Sequence, residues 1–181
     1  LTNPQKSIWL TEQFYSGTSI NNICGTMIIH EKVNFSKLDE AIHTFVNDND
    51  AFRLNFFYEV NEIKQQVLPT LEFDVPIIDV VDNEGLLSLE NKIVDTPFDI
   101  NKPLFKFTMF RFSNGTGGFV ICMHHLISDA CTANLVASKV INIYTSILKN
   151  EEVLEPATSY IDYINSENNY LISNKFEKDR E

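Results

Sequence analysis

The order of hydrophobic and polar residues along the chain follows two periods, one typical of α-helices and one typical of β-strands. Apolar residues recur three and four positions apart in some segments, which predicts amphipathic helices. In others they alternate with polar residues or run together with β-branched and aromatic residues, which predicts strands. The predicted helices cover residues 4–14, 36–48, 83–95, 128–149 and 160–180. The predicted strands cover residues 23–30, 52–60, 63–68, 75–81, 104–112 and 118–123.

Residues that favour helix starts stand at the borders of the helical segments. Asn3 followed by Pro4 predicts the start of the first helix, and Ser36 predicts the start of the second. Either Ser128 or Asp129 is expected to cap the long fourth helix.

Turn-forming residues predict two β-hairpins, one around residues 59–62 and one around the Gly-rich segment 113–117. Helices and strands alternate along the chain, and there is no repeat, low-complexity stretch or Gly/Ser linker. We therefore expect an α/β fold, a layered sandwich of a mixed β-sheet with helices, in a single unit without an internal domain boundary.

Composition narrows the classes of protein that fit. The 181 residues are 44% hydrophobic and carry a formal net charge of -11, so a sizeable core is expected and a nucleic-acid partner is not. Cys24, Cys122 and Cys131 show neither a disulfide framework nor zinc-ligand spacing, which favours a cytoplasmic protein without a metal site. No apolar run is long enough to predict a membrane span. Because the chain starts at Leu1 and stops within a helical pattern, we expect a longer protein.

The residues best suited to catalysis are His124 and His125. They are followed by Asp129 and lie between the last predicted strand and the fourth helix. An imidazole titrates near neutral pH and can exchange protons with a nucleophile. Adjacent side chains of an extended segment point to opposite sides, so one histidine is expected to reach a substrate and the other to be buried. The alternative is that both are core or turn histidines and that Asp129 is only a helix cap.

Four segments, in order and at similar separations, resemble the condensation domains of nonribosomal peptide synthetases. The segment MHHLISDA at 123–130 resembles their HHxxxDG core motif. The other three are PQKSIWL at 4–10, DAFRLNF at 50–56 and SYIDY at 159–163, which are similar to the opening helix motif, the RHExLRTxF segment and the YxDFA-like segment. The charged end at 175–181 also resembles a helix of that family.

The resemblance implies a chloramphenicol acetyltransferase-like fold, with residues 1–181 as the N-terminal lobe of a two-lobed domain whose C-terminal lobe is absent. It further implies amide-bond formation in a tunnel between the lobes. The donor thioester and the acceptor amine would arrive on phosphopantetheine arms of carrier-protein domains, with no cofactor bound directly and with adjacent synthetase domains as partners. Residues 1–181 alone are expected to be inactive, because half of the tunnel is missing.

The same resemblance implies roles for single residues. His125 is the catalytic candidate, either as general base or as a group that positions the amine, and His124 would support the loop. Asp129 would hold the loop by pairing with an arginine, for which Arg53 is the best partner. Ala130 replaces the glycine of the motif and would line the substrate tunnel, where its methyl group could crowd the donor arm.

The resemblance leaves three functions open. The leading one is a condensation domain, and the second is a stand-alone acyltransferase that uses coenzyme A or a carrier thioester. The third is a catalytically silent module that only docks partner proteins. The last is favoured by Ala130 and by Asp48, which stands where the family has an arginine, whereas the intact histidine pair counts against it.

Overall fold

The helices and strands follow the predicted order, except that the helix predicted over residues 160–180 is divided into two, Tyr160–Leu171 and Asn174–Asp179. The computed structural model describes residues 1–60, 62–152 and 159–179. Within these residues the helices are α1 (Asn3–Phe14), α2 (Phe35–Asp48), α3 (Asn83–Val94), α4 (Thr132–Lys149), α5 (Tyr160–Leu171) and α6 (Asn174–Asp179). The strands are β1 (Asn22–Ile29), β2 (Leu54–Glu59), β3 (Glu62–Val67), β4 (Ile77–Asp79), β5 (Phe105–Arg111) and β6 (Gly117–His124), and a 3₁₀ turn spans Asp50–Arg53. Two predicted positions, hairpin residue 61 and helix residue 180, lie outside the described residues.

The main β-sheet has four strands in the order β1-β6-β5-β4. Strand β6 pairs antiparallel with both β1 and β5, whereas β4 pairs parallel with β5, so the sheet is mixed. Strands β2 and β3 form a separate antiparallel hairpin. Both predicted hairpins and the mixed α/β class are therefore confirmed.

Helices cover both faces of the main sheet, and β6 lies at its centre. All eight residues of β6 are buried, as expected for a strand that is covered on two sides. Its side chains alternate between the faces: Phe119 and Ile121 pack with residues of α2 and α4, whereas Val120 and Cys122 pack with residues of α3. The larger core therefore lies between the sheet and the α2–α4 layer.

The apolar faces predicted for α2 and α4 form this larger core. Both helices are amphipathic, and one stripe of each is buried against the sheet. The buried residues are Leu38, Ala41, Ile42, Phe45 and Val46 of α2, and Val136, Val140, Ile143 and Tyr144 of α4. The helical spacing also predicts Leu135 on the apolar side of α4, but this side chain is largely exposed.

The predicted starts of two helices are each wrong by a short distance. Thr2, not Asn3, caps α1: its hydroxyl accepts a hydrogen bond from the Gln5 amide, and the Gln5 side chain accepts one from the Thr2 amide at 2.9 Å. Asn34, not Ser36, caps α2 by accepting from the Lys37 amide. In α1 the reciprocal capping box outweighs the single bond that an Asn3 cap would make.

Candidate active site

An open groove of about 490 Å³ lies where β6 delivers the histidine pair. The first turns of α1, α4 and α5 and the 3₁₀ turn border this groove, and its wall includes Gln5, Phe52, His125, Thr132 and Tyr160. We call it the His125 groove. Four elements that are distant in the sequence therefore converge on one of the two histidines.

The two histidines point to opposite sides of the chain, as the extended segment predicted. His124 is 2% exposed and has its ring edge-on to the ring of Phe98, with 6.1 Å between the ring centres. His125 is half-buried and lines the groove. The backbone places only one imidazole where a substrate could reach it.

The ring of His124 is held at both nitrogens. Its Nδ1 accepts a hydrogen bond from the Leu126 amide at 3.1 Å, so in the neutral ring Nε2 carries the hydrogen. That Nε2 donates to Glu12 Oε2 at 3.1 Å, and the same oxygen accepts from the Asn21 side chain at 2.8 Å. Burial lowers the pKa of His124, although the Glu12 carboxylate opposes this shift. His124 is thus a neutral, fully hydrogen-bonded part of the interior.

His125 is held at only one nitrogen. Its Nδ1 lies 2.8 Å from the backbone oxygen of Ser128. A carbonyl oxygen can only accept, so Nδ1 must donate, and the neutral ring then presents an unprotonated Nε2. Among the described residues, Nε2 has no hydrogen-bond partner. The loop therefore orients an imidazole base beside the groove.

Asp129 closes the turn between the histidines and α4. Its Oδ1 accepts from the amides of Cys131 and Thr132, at 3.1 and 2.9 Å, and from the Thr132 hydroxyl at 2.7 Å. These bonds, of which the hydroxyl bond is the largest contribution, lower the pKa of Asp129. The prediction that Ser128 or Asp129 caps α4 is therefore wrong, because α4 begins at Thr132 with Cys131 as its N-cap, and Asp129 instead accepts hydrogen bonds within the turn before it.

The predicted pairing of Asp129 with Arg53 is wrong. Arg53 donates to three backbone oxygens: Nε to Leu68 at 3.0 Å, and Nη1 to Val46 at 3.1 Å and to Asn47. The last carbonyls of α2 have no partner within the helix and carry the negative end of its dipole. They provide, a few residues away in sequence, the partner that a half-buried arginine needs. Arg53 fastens the end of α2, and its role in supporting the site stays a prediction.

Ala130 lies beside the groove but not in its wall. It is exposed and is not among the lining residues, whereas its neighbours Asp129 and Thr132 are. Of the non-glycine residues that the structure describes, only Val60 and Asn150 have a positive φ, so alanine causes no backbone strain at position 130. Its place in a substrate tunnel stays a prediction.

The sequence alone assigns no role to two residues that contact the elements around the site, Glu12 and Asp50. Glu12 holds His124 from a position 112 residues earlier. Asp50 accepts from the Ser159 hydroxyl at 2.9 Å and from the Tyr160 amide at 2.7 Å, which fixes the start of α5 against the 3₁₀ turn. The one available signal for Glu12 is that it shares the buried face of α1 with Trp9.

Tyr160 closes the groove on the side of α5. Burial raises the pKa of its hydroxyl to about 12, so the ring is neutral at physiological pH. Its ring stacks on that of Tyr163, with 5.9 Å between their centres. Together with Phe52, these rings give the groove an aromatic wall.

Two broader properties concern metals and membranes. Within residues 1–60, 62–152 and 159–179, no group of three or more His, Cys, Asp or Glu side chains is arranged to hold a metal ion. The absence of a metal from the reaction stays a prediction. Among the helices in the described part of the chain, none has both the length and the hydropathy of a membrane span.

Two solved structures share the fold of this chain. The starter condensation domain of rhizomide synthetase RzmA matches with a TM-score of 0.88 and 20% identity, over 96% of this chain and 44% of that one. The first condensation domain of the CDA synthetase matches with a TM-score of 0.86 and 18% identity, over 99% and 48%. The fold is therefore of the chloramphenicol acetyltransferase type.

The chain belongs to the condensation domain family, whose sequence model matches residues 1–181. Surfactin synthase subunit 1 of Bacillus subtilis is 30% identical over 191 residues, which are 99% of this chain and 5% of that protein. Gramicidin S synthase 2 of Aneurinibacillus migulanus is 23% identical over 99% of this chain and 4% of that protein. The chain thus spans a small part of these synthetases and less than half of the solved condensation domains.

Proposed function

We propose that this chain is the N-terminal lobe of a condensation domain that joins a carrier-bound donor thioester to a carrier-bound acceptor amine. Membership of the family supports this assignment, and so does the match to the two solved condensation domains, of which the chain covers 44% and 48%. The proposal places the missing walls of the His125 groove on a second lobe. Carrier-protein domains and adjacent synthetase domains are then the partners.

The observation that carries the proposal is the hydrogen bond between His125 Nδ1 and the Ser128 oxygen at 2.8 Å. It fixes the ring and its tautomer before a substrate arrives, so no reorganisation is needed during the reaction. Nε2 is then the proton acceptor at the groove. A histidine with both nitrogens already bonded, such as His124, could not take this role.

In the proposed reaction, His125 acts on the acceptor amine, whose reference pKa is about 8. The amine nitrogen bonds to the thioester carbonyl carbon, and Nε2 accepts the proton that the nitrogen must lose. As the carbon–sulfur bond breaks, the imidazolium returns this proton to the departing thiolate. The histidine thus ends each cycle in its original state, and amide and thiol are the products.

The other predicted residues act through the loop in this proposal. His124 and Glu12 hold the end of β6, and Asp129 holds the turn that supplies the Ser128 oxygen. Phosphopantetheine belongs to the carrier domains and delivers the substrates, so no directly bound cofactor is proposed. The cytoplasmic location stays a prediction.

The test is dipeptide formation by the full-length protein with donor and acceptor loaded on carrier domains. We expect His125→Ala to reduce kcat by about 10²–10⁴-fold, the range of a lost general base. His30→Ala removes an exposed imidazole elsewhere and serves as the matched control with unchanged kcat. An unimpaired His125→Ala protein would refute the catalytic assignment.

The same assay separates the alternative functions. Equal rates with coenzyme A thioesters and carrier thioesters would favour a stand-alone acyltransferase. Binding of carriers without any product from the unaltered protein would favour a docking module. For residues 1–181 alone we expect no product, because the second half of the substrate channel is needed to hold both arms.

A further inference from the structure

A pair of cysteines lies across two strands close to the histidine pair. Cys24 of β1 stands directly opposite Cys122 of β6. Asn21 and His125 are opposite each other in the same register. The His125 amide donates to the Asn21 oxygen at 2.8 Å, so these two residues form a hydrogen-bonded pair. Because hydrogen-bonded and non-hydrogen-bonded pairs alternate along an antiparallel ladder, Cys24 and Cys122 form a non-hydrogen-bonded pair.

This type of pair brings the two backbones unusually close. Its Cα atoms are typically about 4.5 Å apart, which falls inside the range of about 4.4–6.8 Å that a disulfide requires. Both side chains point to the same face of the sheet, against α3. This type of pair therefore places the two Cα atoms at a separation that a disulfide can span.

The two thiols differ in accessibility and in acidity. Cys122 is 1% exposed, whereas Cys24 is half-buried. A hydrogen bond between the thiols lowers the pKa of Cys24, and the same bond together with burial raises the pKa of Cys122. Cys24 is thus the thiol that reaches the thiolate form first and meets a reagent first.

We propose that Cys24 and Cys122 form a dithiol modification site, which closes to an intramolecular disulfide by exchange with a small disulfide such as oxidised glutathione. The Cys24 thiolate attacks one sulfur of the reagent, whose sulfur–sulfur bond breaks and releases one small thiolate. Cys122 gives its proton to that thiolate and attacks the Cys24 sulfur, which releases the second small thiolate; this thiolate takes up the proton that Cys24 lost when it ionised. Two protein thiols are oxidised, and one small disulfide is reduced to two thiols.

The disulfide would fasten the strands that carry the candidate active site without entering the groove. Asn22 and His124, the next non-hydrogen-bonded pair of this ladder, lie two residues beyond the cysteines. The cysteines face α3, whereas His125 faces the groove. This inference is independent of the proposed catalysis, since it concerns thiol chemistry on the other side of the sheet.

The test treats the purified protein with oxidised glutathione and maps its tryptic peptides without reduction. Cys24 falls in the peptide 7–32, while Cys122 shares the peptide 112–139 with the exposed Cys131. A Cys131→Ser background therefore makes the assignment unambiguous. We expect a glutathione adduct on Cys24 that converts to a cross-link between the two peptides, that forms faster at higher pH and that dithiothreitol reverses.

Two further variants define the order of the steps. Cys122→Ser should stop at the glutathione adduct on Cys24, and Cys24→Ser should leave Cys122 reduced. A stable adduct on Cys24 in the Cys131→Ser protein, without conversion to the cross-link, would overturn the proposal. So would thiols that stay reduced in the folded protein and react only after unfolding in urea.

Discussion

The two histidines are adjacent in sequence, yet their surroundings differ completely. His124 is buried, and both of its ring nitrogens have partners. His125 is half-buried, has one nitrogen bonded to a backbone oxygen and presents the other at a groove. The residue type gives each histidine a capacity for proton transfer, while the number of ring nitrogens that already have hydrogen-bond partners decides whether that capacity is available.

The largest expected effect on stability follows from removing the buried imidazole. His124→Ala leaves the buried Glu12 carboxylate without its imidazole donor and opens a cavity, so we expect the free energy of unfolding to fall by about 3 kcal/mol. His125→Ala, at the groove, should change it by less than about 0.5 kcal/mol. Urea denaturation of both proteins measures the two values. Similar losses in the two variants would contradict the division of roles.

A second prediction concerns how the free energy of unfolding depends on pH through His124. Folding lowers the pKa of His124, so below the unfolded value of about 6.5 the unfolded chain binds more protons and stability falls with falling pH. The loss ends once the pH passes the folded pKa. We expect His124→Gln to lack this contribution, whose slope cannot exceed about 1.4 kcal/mol per pH unit.

The measurement compares the urea midpoints of the unaltered protein and of His124→Gln between about pH 7.5 and about pH 5. The pH steps are small enough to resolve the slope of stability against pH. The other histidines are common to both proteins and cancel in the difference. Parallel curves for the unaltered protein and His124→Gln would show that the burial of His124 is not linked to protonation.

The part of the fold that sequence predicted well depends on local periodicity. Alternation at the end of β6 and into the residue that follows it places His124 and His125 on opposite sides. The helical spacing of Leu38, Ile42 and Phe45 identifies the buried face of α2. These patterns hold because neighbours in sequence determine them. The same holds for the hairpin between β5 and β6, whose turn residues are contiguous.

The part that sequence did not predict depends on partners that are distant or unusual. Glu12 reaches His124 across 112 positions, and nothing local marks that contact. The helical spacing predicts Phe14 on the apolar face of α1, but Phe14 is 84% exposed, while Gln5 and Glu12 occupy that face with Trp9. Polar residues displaced an aromatic one because each has a buried hydrogen-bond partner to satisfy.

The prediction for Arg53 failed for a related reason, because its partner is not a side chain. A search for an anionic residue points to Asp129, whereas the backbone oxygens at the end of α2 supply partial negative charge instead. A sequence pattern identifies side chains, whereas every residue has a backbone carbonyl, so the pattern does not indicate which carbonyl will accept a hydrogen bond. The family resemblance pointed to residues around the groove but could not name the atoms that hold them.

The smallest expected effect tests this correction directly with a double-mutant cycle on Arg53 and Asp129. Asp129→Ala removes the cap of the turn before α4 and should cost about 1 kcal/mol. Arg53→Ala removes bonds to the end of α2 and should cost about 1–3 kcal/mol. Because the two side chains share no partner, the losses should add in the double variant to within about 0.3 kcal/mol.

Urea denaturation of the four proteins gives the coupling energy. It should be near zero because the Arg53 guanidinium is already bonded to backbone oxygens, such as that of Leu68, and not to Asp129. A coupling above about 0.5 kcal/mol would mean that guanidinium and carboxylate interact after all, as the sequence predicts. A near-zero value would mean that the two sides of the groove are anchored separately. Asp129 would then hold the turn that orients His125 without any contribution from Arg53, which would act only at the end of α2.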